Sequence, residues 1–187
     1  MAVMWVWETG RGLAVTKNTD LFRVRIWGVI GPPGAGKSSV IGALISQTGQ
    51  GGGGARDVLL RGGGWLHINA FRRSVQEAQR SPEVAVEKIL KVARARQKRG
   101  IFAFHNVLLA LRSDNQTGFP IAEEYLRYFV KIGWEIESLV LLEANEYDRY
   151  ARFGVPLAFI ENSAEMTSVP LQRNWVFGMV RNHFAWA

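Results

Sequence analysis

Apolar and polar positions alternate over residues 2–8 and 12–17, on either side of Thr9-Gly10-Arg11-Gly12, which predicts a β-hairpin. After a turn at Asn18-Thr19-Asp20, the stretch Phe22 to Ile30 begins alternating and ends fully apolar, as a strand does when it enters a core covered on both faces. Val40 to Gln47 follows as a helix with Val40, Ile41, Leu44 and Ile45 on one side. Residues 49–64 hold eight glycines, and the backbone entropy they would lose on ordering predicts a mobile loop. Trp65 to Asn69 is a short strand, and Ser81-Pro82-Glu83 opens a helix with a cap, a first-turn proline and an acid at the positive end of the dipole. Val86, Ile89, Leu90 and Ala93 give that helix one apolar stripe, and Gly100 closes it.

Ile101 to His105 is a buried-type strand, Pro120 opens a helix that Gly133 ends, and Ile136 to Leu142 is a third apolar strand. Asn145 to Arg152 is a short helix and Leu171 to Phe184 a last one. Strands separated by helices of these lengths imply βαβ units, hence an α/β fold of three layers with a mostly parallel sheet between helices. The length fits one domain over residues 1–187: a hairpin extension at 1–21, a core at 22–166 and a C-terminal helix at 167–187.

Composition narrows the chemistry. Cysteine is absent, which removes disulfides, thiolate metal sites and cysteine nucleophiles, and the three histidines are widely spaced. No run approaches the ~18 apolar residues of a membrane span. The apolar start, Met1 to Trp7, has no basic leader, so the expectation is a cytoplasmic protein. The formal charge is +7, yet residues 56–112 carry twelve basic and four acidic side chains, a local +8 that leaves −1 for the rest. That asymmetry suits a phosphate-bearing or nucleic-acid-like partner, although the part on the predicted helix also fits a solvated face.

The most specific pattern is Gly31-Pro32-Pro33-Gly34-Ala35-Gly36-Lys37-Ser38-Ser39, a G-x-x-x-x-G-K-S sequence between an apolar strand and a helix. Glycines let successive N–H groups curl round one anion, and the helix adds its N-terminal dipole. Lys37 then reaches the outer phosphates of ATP, and the Ser38 hydroxyl serves Mg²⁺.

With this loop in place, the chain resembles the P-loop kinases related to polynucleotide kinase, zeta-type toxins and small-molecule kinases, from about Val24 to Met166. The resemblance is carried by GPPGAGKSS, by Trp65 to Asn69 with Phe71 to Val75, by Arg99 to Asn106 with Ile132 to Glu137, and by Tyr147 to Arg152 with Val155-Pro156 and Phe159-Ile160. It implies an acceptor site at Arg72 and Arg73, and an arginine-bearing lid near residues 145–156 with a helix trailing it. In that lid Arg149 and Arg152 would offset charge on the transferred phosphoryl group. Two acids of the family pattern are missing. Asn69-Ala70-Phe71 has no carboxylate after the second strand, and His105 stands where the third strand is expected to end. His105, Asp57 and Asp114 are the candidates for a replacement base. Glu143 imitates the acidic motif of ATP-driven motors but reads as structural.

The expected function is therefore an ATP-dependent kinase acting on a hydroxyl of a nucleoside, nucleotide or polynucleotide 5′ end. The alternatives are a nucleotide-binding protein that has lost transfer, and a nucleic-acid-stimulated ATPase.

Overall fold

The computed structural model describes residues 23–46, 54–98, 104–115, 118–142, 146–161 and 170–187. The expected N-terminal hairpin, the first part of the glycine-rich stretch, Gly100 and Glu143 lie outside these residues. Along the chain run β1 (Arg23–Gly31), α1 (Lys37–Ser46), β2 (Gly54–Leu59), β3 (Trp65–Phe71), α2 (Pro82–Gln97), β4 (Phe104–Arg112), α3 (Ala122–Lys131), β5 (Glu135–Leu141), α4 (Tyr147–Ala151), β6 (Leu157–Phe159) and α5 (Pro170–His183). The fold is α/β, with six strands among the described residues in the order β2-β3-β4-β1-β5-β6. All neighbours are parallel except β2, which runs antiparallel to β3.

Alternation along each central strand sorts its side chains onto two covered faces. Trp27, Val29, Leu108, Ala110 and Val140 pack under Val40, Ile41 and Leu44 of α1 and Val176 and Val180 of α5. Val24, Ile26, Ile30, Val107, Leu109, Leu111 and Leu139 face Ala85 and Ile89 of α2 and Tyr125, Leu126 and Phe129 of α3. Burying each such aliphatic side chain stabilises by roughly 1.5–3 kcal/mol, so the doubly covered β1 and β4 anchor the fold. Gly28 permits the closest approach, since a Cβ there would stand 2.7 Å from Leu139 Cδ2 of β5.

Local signals act largely as expected. Ser81 caps α2, its side chain accepting from the Val84 N–H at 3.4 Å, and Pro82 occupies the first turn. At the start of α3 the Glu124 carboxylate accepts from the Ile121 N–H, and Gly133 ends the helix region at φ 87°.

Three expectations are corrected. The glycine-rich stretch contains β2, because Ala55, Asp57 and Leu59 pair in register with Asn69, His67 and Trp65 and so satisfy the backbone despite the glycine cost. The third strand does not end at His105 but runs on to Arg112, since Asn106 finds a partner inside the sheet by donating to the His67 carbonyl at 2.9 Å. The segment after the expected lid is β6 rather than a helix: Leu157–Phe159 pairs with Leu139–Leu141.

Candidate functional site

β1 is flanked by β4 and β5, and its end is fixed on both sides. The Leu142 N–H donates to the Ile30 carbonyl at 2.8 Å, and the Ser113 N–H donates to the Gly31 carbonyl at 3.3 Å. The crossover through α1 leads from β1 past β4 towards β3, whereas α3 leads from β4 past β1 to β5. The winding thus reverses at the carboxyl ends of β1 and β4, where open α/β sheets form their ligand crevice.

Residues 32–36 fill that place as a tight loop. Gly34 and Gly36 hold φ of 77° and 81°, which side chains other than glycine adopt at a cost. The Ala35 N–H donates to Pro32, and the Val40 N–H to Gly36 as α1 begins. Lys37 is 4% exposed, and its ammonium donates to the Gly31 carbonyl at 2.8 Å and the Pro32 carbonyl at 2.6 Å. Burial lowers its pKa to about 8, against the opposing pull of Glu77 and Asp114, while Arg112 adds to the lowering. The Ser38 hydroxyl donates to the Arg72 carbonyl at 2.8 Å, tying the first turn of α1 to the end of β3. The hydroxyl oxygen keeps its lone pairs for a cation while it donates to that carbonyl.

The end of β4 adds residues that the sequence did not single out. Arg112 is 7% exposed and stands in register with Gly31. Its guanidinium donates to both carboxylate oxygens of Asp114, at 2.8 and 3.1 Å, a bidentate pair that fixes both groups beside Lys37. Gln76 is fully buried, accepts from the Arg112 N–H and donates to the Arg112 and Pro120 carbonyls. It thereby joins the segment after β3 to the segment after β4. The sequence signal for Arg112 was its place at the end of an apolar run, obscured once the strand was ended at His105.

Of the three candidates for a replacement base, only Asp114 lies on the side of residues 31–39. His105 pairs in register with Val24 at the opposite end of β4, seven residues and about 23 Å from Arg112. Asp57 sits at that far end too, 2.5 Å from the His67 ring. His105 is 3% exposed, and burial first, then the charges of Arg96 and His67, push its pKa down to about 4. His105 thus stands away from residues 31–39, where the expected catalytic role would need it; burial favours its neutral form, and Arg96 Nη1 lies 3.4 Å from its Nδ1.

Arg149 lies on α4 and pairs with Glu146 and, at 3.6 Å, with Glu123 of α3, so two carboxylates already face its charge. Arg152 follows as the exposed C-cap of α4. Arg72 and Arg73 leave the end of β3, the Arg72 guanidinium lying against Gly42 of α1. Both also line a cavity of about 540 Å³ with Arg80 and Lys88, two residues not marked out beforehand. Among the described residues no group of three or more acidic or histidine side chains could hold a metal ion.

No family model and no curated protein matches this chain. A solved structure described as "Crystal structure of APE1195" is similar at 11% identity over 87% of this chain and 97% of that one, with a TM-score of 0.34. So slight a likeness carries nothing about fold or function. Among the described residues no helix is long and apolar enough to cross a membrane.

Proposed function

We propose that this chain is a P-loop phosphotransferase, binding ATP at residues 31–39 and moving its γ-phosphoryl group to a hydroxyl of a bound acceptor. The observation that supports this reading most is the buried Lys37, folded back onto the carbonyls of a glycine-curled loop at the reversal point of the sheet. Those two carbonyls occupy the ammonium in place of phosphate oxygens, and a triphosphate would take it over with stronger, charge-assisted bonds. The backbone N–H groups opening α1 and the helix dipole would hold the β-phosphate. Mg²⁺ would be held on this side by the Ser38 hydroxyl, since that ion keeps most of its shell as water and phosphate oxygens. When bound it neutralises phosphate charge.

In the transfer, the acceptor oxygen forms a bond to the γ-phosphorus, the bond to the β–γ bridging oxygen breaks, and ADP leaves with that electron pair. Asp114, oriented by Arg112, takes the proton of the acceptor hydroxyl. Arg149 assists only after leaving Glu123 and Glu146. An ATP-dependent reaction of this kind goes with a cytoplasmic site of action.

A second reading, nucleotide binding without transfer, is favoured by two observations. Asn69 carries an amide where the resembling kinases carry an acid, and Arg149 is held between two carboxylates.

Calorimetric titration with ATP and Mg²⁺ tests the common element. Binding should weaken at least 100-fold in Lys37→Ala, and absence of binding by the unmodified chain at millimolar ATP refutes both readings. Labelled ATP with a panel of acceptors then separates them, transfer above the Lys37→Ala control eliminating the second.

A further inference from the structure

The cavity beyond the end of β3 has a one-sided chemistry. Four basic residues, Arg72, Arg73, Arg80 and Lys88, line it, and among the described residues no aspartate or glutamate does. Its volume of about 540 Å³ is that of a small-molecule site. Asn69 lines it too, only 5% exposed, and among the described residues its carboxamide makes no hydrogen bond. Neither polar atom of the amide is shut off from solvent, so the amide opens into the cavity, and one ligand can engage it and the cations together when it brings negative charge and a further polar oxygen.

We propose that this cavity binds a small phosphomonoester, its near-dianionic phosphate held by Arg73, Arg80 and Lys88 and a neutral oxygen of the same molecule met by the Asn69 amide. Guanidinium groups pair with phosphate through two parallel hydrogen bonds, which orients the ester as well as holding it. An unphosphorylated nucleoside brings no anion to Arg73, Arg80 and Lys88. The amide at position 69 has a purpose here: a carboxylate in its place would repel the phosphate and pair with the arginines itself. Resting on the phosphotransfer reading, the inference makes this ester the acceptor, a molecule that carries one phosphate before it receives another.

The test is calorimetric titration of the full chain with ribose 5-phosphate, ribose and a 5′-hydroxyl hexanucleotide, in the unmodified protein and three variants. Ribose 5-phosphate should bind the unmodified chain and Lys37→Ala alike, and at least tenfold more weakly both to Arg80→Gln/Lys88→Gln and to Asn69→Asp, while ribose gives no heat. Asn69→Asp changes charge at nearly constant volume, so it keeps the test sound should the double variant fold poorly. Absence of ribose 5-phosphate binding, a loss confined to Lys37→Ala, or affinity unchanged by the cavity variants overturns the proposal. So does tighter binding of the hexanucleotide through the same residues, which would make the cavity a strand groove. The ATP titration stands apart: if it alone fails, the phosphotransfer reading falls and the phosphomonoester site is judged on its own results.

Discussion

Lowering the pH should destabilise this protein through one imidazole. His105 is buried under α2 and has its pKa pushed from 6.5 down to about 4, by loss of solvation first and then by Arg96 and His67. In the unfolded chain the ring takes its proton near 6.5. The unfolded state therefore binds more protons between pH 4 and 6.5, and stability falls as pH drops through that window. With those two values, the linkage amounts to about 2 kcal/mol between pH 7.5 and 5, and about 3 kcal/mol once pH is below 4. Urea unfolding of the unmodified chain and of His105→Gln, from pH 7.5 to 4.5, measures it. Subtracting the two curves cancels the other titrating groups, including His183, whose pKa burial also lowers. The difference should shrink by about 2 kcal/mol on acidification to pH 5, because the variant has no ring to protonate. Parallel curves would refute the burial argument. Any phosphotransfer rate that collapses in His105→Gln while its stability at pH 7.5 is intact would return His105 to the proposed chemistry.

Two further substitutions probe the site and its support. Asp114→Asn leaves the buried Arg112 facing a neutral amide beside Lys37, and should lower stability by about 2 kcal/mol by urea titration and abolish any transfer activity. Full activity in that variant would remove Asp114 from the mechanism. Gly28→Ala drives a methyl group to 2.7 Å from Leu139 Cδ2 and should cost about 1–3 kcal/mol, read as a lower thermal midpoint without a shift in ATP affinity.

The positions where sequence reasoning succeeded and failed divide on one physical line. G-x-x-x-x-G-K-S, the cap at Ser81-Pro82 and the apolar runs of β1 and β5 are local signals: each rests on conformational freedom, capping or periodicity within a dozen residues. They determined the element order, the two-sided burial of the central strands and the place of the loop before α1. β2 was hidden by its glycines and β6 by its shortness, since an edge strand is stabilised by the neighbour it pairs with rather than by its own residues. Asn106 likewise disguised the middle of β4, because the partner of its amide nitrogen is the His67 carbonyl of another strand.

The candidate chemistry shows the same division. Lys37 and the loop could be read from spacing alone. That Asp114 rather than His105 or Asp57 stands beside them depended on where β4 ends, a length set by seven more residues of pairing with β1. The cavity needed the tertiary structure altogether: Asn69 and Arg73 come from one crossover end while Arg80 and Lys88 come from the approach to α2 and its second turn. Sequence determined which charges the middle of the chain carries. Only packing of α2 against the sheet decided that four of them line one hollow with no acid among them, because distances between separate elements are fixed by side-chain contact across the core and not by their order along the chain.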